Sequence, residues 1–196
     1  MARSPDPAVR VALIEAAARL LADDGLAALS IRAVAAAVGT STMAVYTHFG
    51  SKDDLVHEVV REAFARLHAE IASVEQTADP VADLAATGAA YRRNALANAH
   101  LYRVMFSVNP VALTNPADHE GQPGLGLDAF GGLVDAVARC VDAGALSGAP
   151  GQLALQIWAT AHGAVSLELA GFLGDTGQAT FDAATTAAFL GLAAGG

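Results

Sequence analysis

The spacing of apolar residues limits the fold of this 196-residue chain more than any other feature of its sequence. Apolar residues recur at steps of three and four almost throughout, as in the first such group, which contains Leu13, Ile14, Ala17, Leu20 and Leu21. Steps of three and four place side chains on one face of an α-helix, whereas a half-buried strand requires alternation. No segment alternates convincingly. The sequence therefore predicts an all-α fold.

Composition favours a folded protein and excludes several classes. Hydrophobic residues make up 54% of the chain and charged residues 16%, a balance that disfavours disorder. We find no apolar run of about 18 residues that would cross a membrane, and MARSPDPAVR lacks the apolar core of a signal peptide. The single cysteine, Cys140, excludes an internal disulfide and a cysteine metal cluster. We expect a cytoplasmic protein with no membrane partner, no metal and no cofactor.

The net charge of −9 argues at first against a nucleic-acid partner. The acidic residues are concentrated in the C-terminal part, however. Residues 1–70 carry seven Arg and Lys against nine Asp and Glu, whereas residues 71–196 carry four against eleven. A few well-placed cations can still bind phosphate, although non-specific affinity should then be modest.

Cap and stop residues divide the first 72 residues into four predicted helices. Asp6 followed by Pro7 is typical of a helix start, and Gly25 is typical of a helix end. Ser51, with Asp54 at the capping-box position, is predicted to begin a long fourth helix.

The second and third predicted helices are short and are separated by a tight turn. Ser30 begins the second helix and Gly39 ends it, while Thr40 or Ser41 begins the third and Gly50 ends it. This order and spacing are those of a helix-turn-helix unit, whose second helix enters the major groove of DNA.

The third helix is predicted to be amphipathic, with Val45 and Phe49 facing inward. Its outward positions carry Thr42, Met43, Tyr46, Thr47 and His48. A recognition helix reaches bases with small polar and aromatic groups of this kind. A solvated polar helix with a chance aromatic residue is the alternative that the residues alone leave open.

The segment LSIRAVAAAVGTSTMAVYTHFGSKDDL resembles the N-terminal DNA-binding domain of the TetR family of bacterial repressors. The matching features are the Ser that begins the second helix, the Gly-containing turn, the Tyr and His-Phe of the third helix, and SKDDL at the start of the fourth. The resemblance covers roughly residues 10 to 60.

The resemblance implies a set of DNA contacts. Residues around the turn and the start of the third helix would touch bases and phosphates, namely Thr40, Ser41, Thr42, Met43 and Ala44. The hydroxyl of Tyr46 and the side chains of His48 and Lys52 would contact phosphates. Arg32 would reach the DNA backbone or a base. Thr47 stands where the family often has an aromatic residue or His. A helix-terminal cap for His48 and a surface charge for Arg32 remain the structural alternatives.

The same resemblance implies two domains. Residues 1–55 would form the DNA-binding domain, with a linking helix over 51–72, and residues 73–196 a helical domain for ligand binding and dimerisation. Residues 108–124 are predicted to form a loop, because they contain three prolines and several turn residues. Helices near 150–173 and 178–193, rich in Ala and Gly, are the predicted homodimer interface.

Trp158, His162 and Gly163 resemble the Trp-His-Gly pattern of one subgroup of these C-terminal domains. They lie on a predicted apolar stripe from Leu155 to Phe172, which would face a pocket or the second subunit. The candidate ligand-binding residues are Tyr91, Tyr102, Met105, Phe106, Phe130, Trp158 and His162. Each of them taken singly could equally be an ordinary core residue.

The resemblance to the TetR family implies a ligand-responsive transcriptional regulator rather than an enzyme. It would act as a homodimeric repressor on a pseudo-palindromic, double-stranded DNA operator, and a small apolar effector molecule would release it. One alternative is an all-helical carrier or enzyme whose helix-turn-helix is structural, although no paired catalytic residues stand out. A second alternative is a module that pairs with another regulator.

Overall fold

A computed structural model describes residues 6–107 and 125–194 of the chain. Every regular element in these two ranges is helical and none is a strand, so the predicted all-α class is confirmed there. The α-helices are α1 Pro7–Ala28, α2 Ile31–Val38, α3 Thr42–Phe49, α4 Lys52–Ala72, α5 Pro80–Ala97, α6 Ala99–Ser107, α7 Leu125–Asp142, α8 Pro150–Leu169 and α9 Gly177–Ala194. A 3-10 turn, Gly174–Thr176, precedes α9. The loop predicted over 108–124 lies outside the described residues.

The described part of the chain divides into two compact units. The first contains residues 6–65 and 98–107, and the second contains residues 66–97 and 125–194. Helix α6 belongs to the first unit, where it packs against α1, although it follows α5 of the second unit after one residue, Asn98. None of the helices in the described ranges is long and apolar enough to cross a bilayer.

Local hydrogen bonds set the helix boundaries of the first unit. The Oγ of Ser30 accepts from the backbone N–H of Ala33 at 3.2 Å, and the Oγ of Ser41 accepts from that of Ala44 at 3.1 Å. Ser41 rather than Thr40 is therefore the cap of α3. The Oγ of Ser51 accepts from the N–H of Asp54 at 3.0 Å in the same way. These caps satisfy N–H groups that a helix start would otherwise leave unpaired.

Two glycines shape this unit because they adopt positive φ. Gly25 has φ of 77° and interrupts α1, as its position in the sequence predicts, after which the chain resumes one helical turn. Gly39 has φ of 73° and ends α2 in the left-handed conformation. A side chain would be strained at either position. The turn after α2 thus fixes the direction in which α3 leaves.

The second unit has a core formed by α5, α7 and α8, with α9 packed along α8. The core residues are Leu84, Val137, Cys140, Leu146, Leu153, Ala154 and Ile157. Helix α8 is apolar on more than one side. Ile157, Ala161 and Val165 point inward, whereas Leu155 is 52% exposed and Phe172, beyond the helix, is 79% exposed. Val165, within the stripe predicted from Leu155 to Phe172, is therefore buried in the chain, whereas both ends of the stripe are exposed. Whether the stripe faces a pocket or the second subunit stays a prediction.

A buried carboxylate fixes the connection between α4 and α5. Asp83 accepts hydrogen bonds from the backbone N–H and the hydroxyl of Thr77, both at 2.8 Å, and from Arg139 on α7 at 2.6 Å. Burial raises the pKa of Asp83, but the hydrogen bonds from Thr77 and Arg139 outweigh burial, and the net pKa is lowered. Arg139 also donates to the Thr77 oxygen at 2.6 Å. The segment before α5 is therefore held by charge-assisted hydrogen bonds.

Candidate nucleic-acid interface and ligand site

Helix α3 has a buried face and an exposed face, as the sequence predicts. Val45 is fully buried and Phe49 is 7% exposed, so these two side chains attach the helix to the first unit. On the opposite face Met43 is 71% exposed and Tyr46 is 49% exposed. Thr42 and Thr47 are exposed as well, while Ala44 and His48 are half-buried. The outward face therefore presents a thioether, a phenol and two threonines.

The hydroxyl groups around α3 are partly engaged within the helix. Ser41 caps the helix start, and Thr47 donates its hydroxyl hydrogen to the carbonyl oxygen of Met43 at 2.8 Å. His48 lies in the last turn, with its ring 6.0 Å from that of Phe49. The side chains that remain most accessible to a partner are those of Met43 and Tyr46.

Two of the predicted phosphate contacts are cations on the helices that flank α3. Arg32 lies on α2 and is exposed, and Thr40, in the turn, is half-buried. Lys52, in the first turn of α4, donates from its Nζ to the backbone oxygen of Leu26 at 3.2 Å. The contact with Leu26 was not predicted, because the two residues are 26 positions apart. Lys52 thus closes the end of α1 in the free protein.

An ionic cluster behind α3 was also missed by sequence reasoning. Arg10 of α1 and Arg61 of α4 both pair with the carboxylate of Glu58. The Arg10 guanidinium also lies 5.5 Å from the ring centroid of Phe49, at the end of α3. A cation over an aromatic face is attracted to it. Arg10 therefore links three helices and fixes the end of α3, a role that no spacing in the sequence indicates.

Four of the predicted ligand residues lie together in the second unit. The hydroxyl of Tyr91 is 3.2 Å from Nδ1 of His162, and the Trp158 ring lies 5.8 Å from the His162 ring. Phe130 packs edge-on against Trp158 at 6.0 Å. Nε2 of His162 is 3.5 Å from the hydroxyl of Ser166. Burial lowers the pKa of His162, so the ring is neutral at physiological pH.

The other three predicted ligand residues lie on α6, which belongs to the first unit. Tyr102 and Met105 are buried and Phe106 is 40% exposed. The Tyr102 and Phe106 rings pack edge to face at 5.0 Å. Their assignment to the ligand site stays a prediction.

Two further features of the second unit bear on its chemistry. Cys140 is fully buried, and burial raises the pKa of its thiol, so that it packs as a small apolar residue. Arg92 pairs with Glu168 through two hydrogen bonds at 2.8 and 2.5 Å, an ion pair that sequence reasoning missed. In the part of the chain that the structure describes, no group of three or more His, Cys, Asp or Glu residues is placed to hold a metal.

Comparison with protein-family models assigns both parts of the chain. Residues 13–59 match the model of bacterial regulatory proteins of the tetR family. Residues 84–188 match the model of the tetracyclin repressor-like C-terminal domain. Neither match tests the Trp-His-Gly subgroup, which stays a prediction. No curated protein sequence is significantly similar to this chain.

Solved structures share the fold over most of the chain. A protein of unknown function from Rhodococcus sp. RHA1 is 26% identical, with a TM-score of 0.74 over 98% of this chain and 100% of that one. The TetR family transcriptional regulator PfmR from Thermus thermophilus is 23% identical, with a TM-score of 0.74 over 92% and 96%. A TetR family transcription regulator from Marinobacter aquaeolei VT8 is 21% identical, with a TM-score of 0.75 over 92% and 93%. The last two likenesses concern the fold alone.

Proposed function

The chain belongs to the TetR family of DNA-binding transcriptional regulators, and from that membership we propose that it is a homodimeric repressor released by a small apolar molecule. The observation that carries the proposal is the exposed face of α3, on which Met43 and Tyr46 project from a capped helix. Apolar and aromatic side chains left in water on a recognition helix suit contact with a DNA groove. TetR-family proteins are regulators rather than enzymes.

At the DNA, the proposal gives each predicted contact a role. Thr42, Met43 and Ala44, at the start of α3, would face base edges, because the N-terminal residues of a recognition helix enter the groove. Tyr46 would donate its hydroxyl to a phosphate. Phosphate contacts would come from His48 and Lys52, base or phosphate contacts from Thr40 and Ser41, and a backbone or base contact from Arg32. Thr47, one turn after Met43, would lie beside it in the groove.

The DNA proposal is tested by fluorescence anisotropy with the DNA that flanks the protein's own gene, at two salt concentrations. We expect a salt-sensitive, palindromic site bound far more tightly than random DNA. If no such site exists there, selection from random sequences follows. Failure to select any sequence would contradict the proposed function and would favour a carrier.

The effector site would be the group formed by Tyr91, Phe130, Trp158 and His162. Two aromatic rings supply apolar surface, and the Tyr91–His162 pair supplies polar groups that orient a ligand. Because the lowered pKa of His162 keeps its ring neutral, the site offers no positive charge to an anion. The proposed effector is therefore a neutral, largely apolar molecule with one hydrogen-bonding group.

The effector proposal has a built-in reporter, because Trp158 is the only tryptophan in the chain. A bound molecule should change its fluorescence and, at the same concentration, lower the affinity for DNA. The two effects must be coupled reciprocally, typically by about 1 to 3 kcal/mol. The Tyr91→Phe variant, which loses only the hydroxyl, should bind the effector more weakly. An effector that changes Trp158 fluorescence without changing DNA affinity would contradict the regulatory role.

Helices α8 and α9 would form the homodimer interface. Their outer surfaces expose Leu155, Leu167 and Leu190 at 52%, 47% and 60%. A Cβ added at Gly163 or Gly191 would meet nothing within 4 Å in the single chain, so a second backbone has room to approach there. Four such helices from two subunits would bury this apolar surface as a bundle.

The dimer proposal is tested by Leu190→Glu. An unpaired carboxylate buried at the interface costs several kcal/mol, so we expect a monomer in sedimentation equilibrium. Val11→Glu is the matched control, since Val11 is also an exposed apolar residue, 49% exposed, but lies on α1. It should remain dimeric. A dimeric Leu190→Glu protein would remove this face from the interface.

A further inference from the structure

We propose that α3 reads its operator mainly through the 5-methyl groups of thymine, with Met43 as the principal contact. The inference rests on the proposed function, because it concerns what the exposed face of α3 touches on DNA. It names the chemistry of the base that is recognised.

Helix α3 lacks the side chains that read a single base through paired hydrogen bonds. Its eight residues are TMAVYTHF, without a single Arg, Lys, Asn, Gln, Asp or Glu. Arg and Lys read guanine, Asn and Gln read adenine, and Asp and Glu accept from cytosine in the major groove. None of these readers is present on α3. Thr42 and Thr47 can hydrogen-bond to base edges, but a single hydroxyl does not make the bidentate contact that fixes one base. The feature of this groove that apolar side chains recognise is the thymine methyl group.

Helix α3 instead exposes a large apolar side chain, Met43. Met43 is the most exposed of the large apolar side chains in the described part of the first unit, at 71%. It is the second residue of α3, in the turn from which recognition helices contact base edges. A methionine is flexible and polarizable, so it can adapt to a methyl group.

Thr47 adds a methyl group on the same face of α3 as Met43. Thr47 lies one turn after Met43 and uses its hydroxyl hydrogen to bond the Met43 carbonyl at 2.8 Å. The hydroxyl hydrogen is thereby used within the helix, which leaves the γ-methyl and the hydroxyl oxygen of Thr47 for a partner. Met43 and Thr47 together therefore form a methyl-rich strip along one side of α3.

Hydrogen bonds from the polar side chains near the groove can be distinguished experimentally from contacts with the thymine methyl group. Tyr46 and His48 on α3 and Arg32 on α2 can hydrogen-bond to bases or phosphates. Removing a thymine methyl leaves every hydrogen-bonding group of the base unchanged. Deoxyuridine in place of thymidine therefore distinguishes methyl contacts from all the others.

The experiment uses the full-length protein and a duplex selected by it from random-sequence DNA. Each thymidine of the duplex is replaced in turn by deoxyuridine, symmetrically in both half-sites. We expect an affinity loss of about fourfold per methyl contact and about fifteenfold for the symmetric pair. Replacements outside the protected region serve as the DNA control and should have no effect.

Variants of the protein assign the contact. Met43→Ala should bind the thymidine duplex more weakly and should no longer distinguish thymidine from deoxyuridine at the sensitive position. Arg32→Ala is the matched control, which should lower affinity but keep that discrimination. Circular dichroism checks that both variants fold, as expected for exposed side chains.

The possible outcomes distinguish failure of the methyl readout from failure of specific DNA binding. Equal affinity for thymidine and deoxyuridine at every position would overturn the methyl readout and leave DNA binding intact. Discrimination that persists in Met43→Ala would overturn the role of Met43. If no sequence can be selected, the proposed function fails, and the methyl readout fails with it.

Discussion

Replacing Lys52 with Ala tests whether this side chain holds DNA or only stabilises the first unit. In the free protein its ammonium donates to the backbone oxygen of Leu26 at 3.2 Å. An ammonium has three hydrogens, so two remain for a phosphate oxygen. We expect Lys52→Ala to weaken binding to all DNA sequences about equally, because a phosphate contact carries no sequence information.

The size of the effect follows from the loss of one cation per subunit. Each phosphate contact contributes about 0.9 to the slope of log K against log salt concentration. A dimer that loses two contacts should therefore lose about 1.8 of slope. Between about 50 and about 200 mM salt, this difference changes the ratio of wild-type to variant affinity by about twelvefold.

The assay is fluorescence anisotropy on one duplex across this range of salt. Arg19→Ala is the control, because Arg19 is an exposed cation on α1 outside the helix-turn-helix. It should leave the slope unchanged. If Lys52→Ala leaves the salt-dependence slope unchanged and lowers thermal stability, the phosphate contact is refuted. Lys52 would then serve only to hydrogen-bond the backbone oxygen of Leu26. Equal slope losses in both variants would mean that the slope follows net charge.

Two further predictions concern the second unit. Gly177→Ala should lower the free energy of unfolding by about 1 kcal/mol, because the new Cβ would lie 2.9 Å from Cγ of Glu168 and would displace this side chain from its ion pair with Arg92. Urea unfolding at fixed protein concentration should show no such loss in a Glu168→Ala background, or for the control Gly151→Ala, whose Cβ meets nothing within 4 Å. A loss of the same size in all three would refute this cause. The pKa of His162 is lowered in the folded chain, so on acidification the unfolded chain binds a proton at this residue first, and stability falls below about pH 6.5. His162→Gln should therefore reduce the dependence of the free energy of unfolding on pH in this range and leave it unchanged above it. Identical slopes for wild type and variant would show that His162 titrates normally.

The helix boundaries could be predicted because they depend on contacts within a few residues. Ser30, Ser41 and Ser51 each accept a hydrogen bond from the backbone three positions ahead. Gly25 and Gly39 are required by positive φ at fixed points of the chain. Such signals are contained in the local sequence. The helix-turn-helix therefore follows from spacing alone.

Contacts between distant residues could not be predicted in the same way. Arg10 and Glu58 are 48 positions apart, and Arg92 and Glu168 are 76 apart. Charged residues occur at many exposed positions, and nothing in their local spacing shows which of them will meet. These pairs depend on how helices pack, which is set by the core.

The inner face of α8 could not be predicted, for a different physical reason. Apolar residues surround this helix, and alanine and glycine add little contrast between its sides. Ile157 is buried and Leu155 is exposed, yet both are aliphatic. Hydropathy identifies a core face only where the opposite face is polar. A helix that is apolar on two sides needs packing information to be oriented.

The shared carboxylate of Glu58 has a consequence for how the protein finds its operator. Arg10 and Arg61 are both occupied by this residue, and residues 1–70 carry more acidic than basic side chains. Sliding along chromosomal DNA depends on attraction to phosphates. We expect this protein to dwell briefly on non-operator DNA and to arrive mainly by diffusion through solution. Little of it would then be sequestered by the chromosome, so a small number of molecules could keep one promoter occupied.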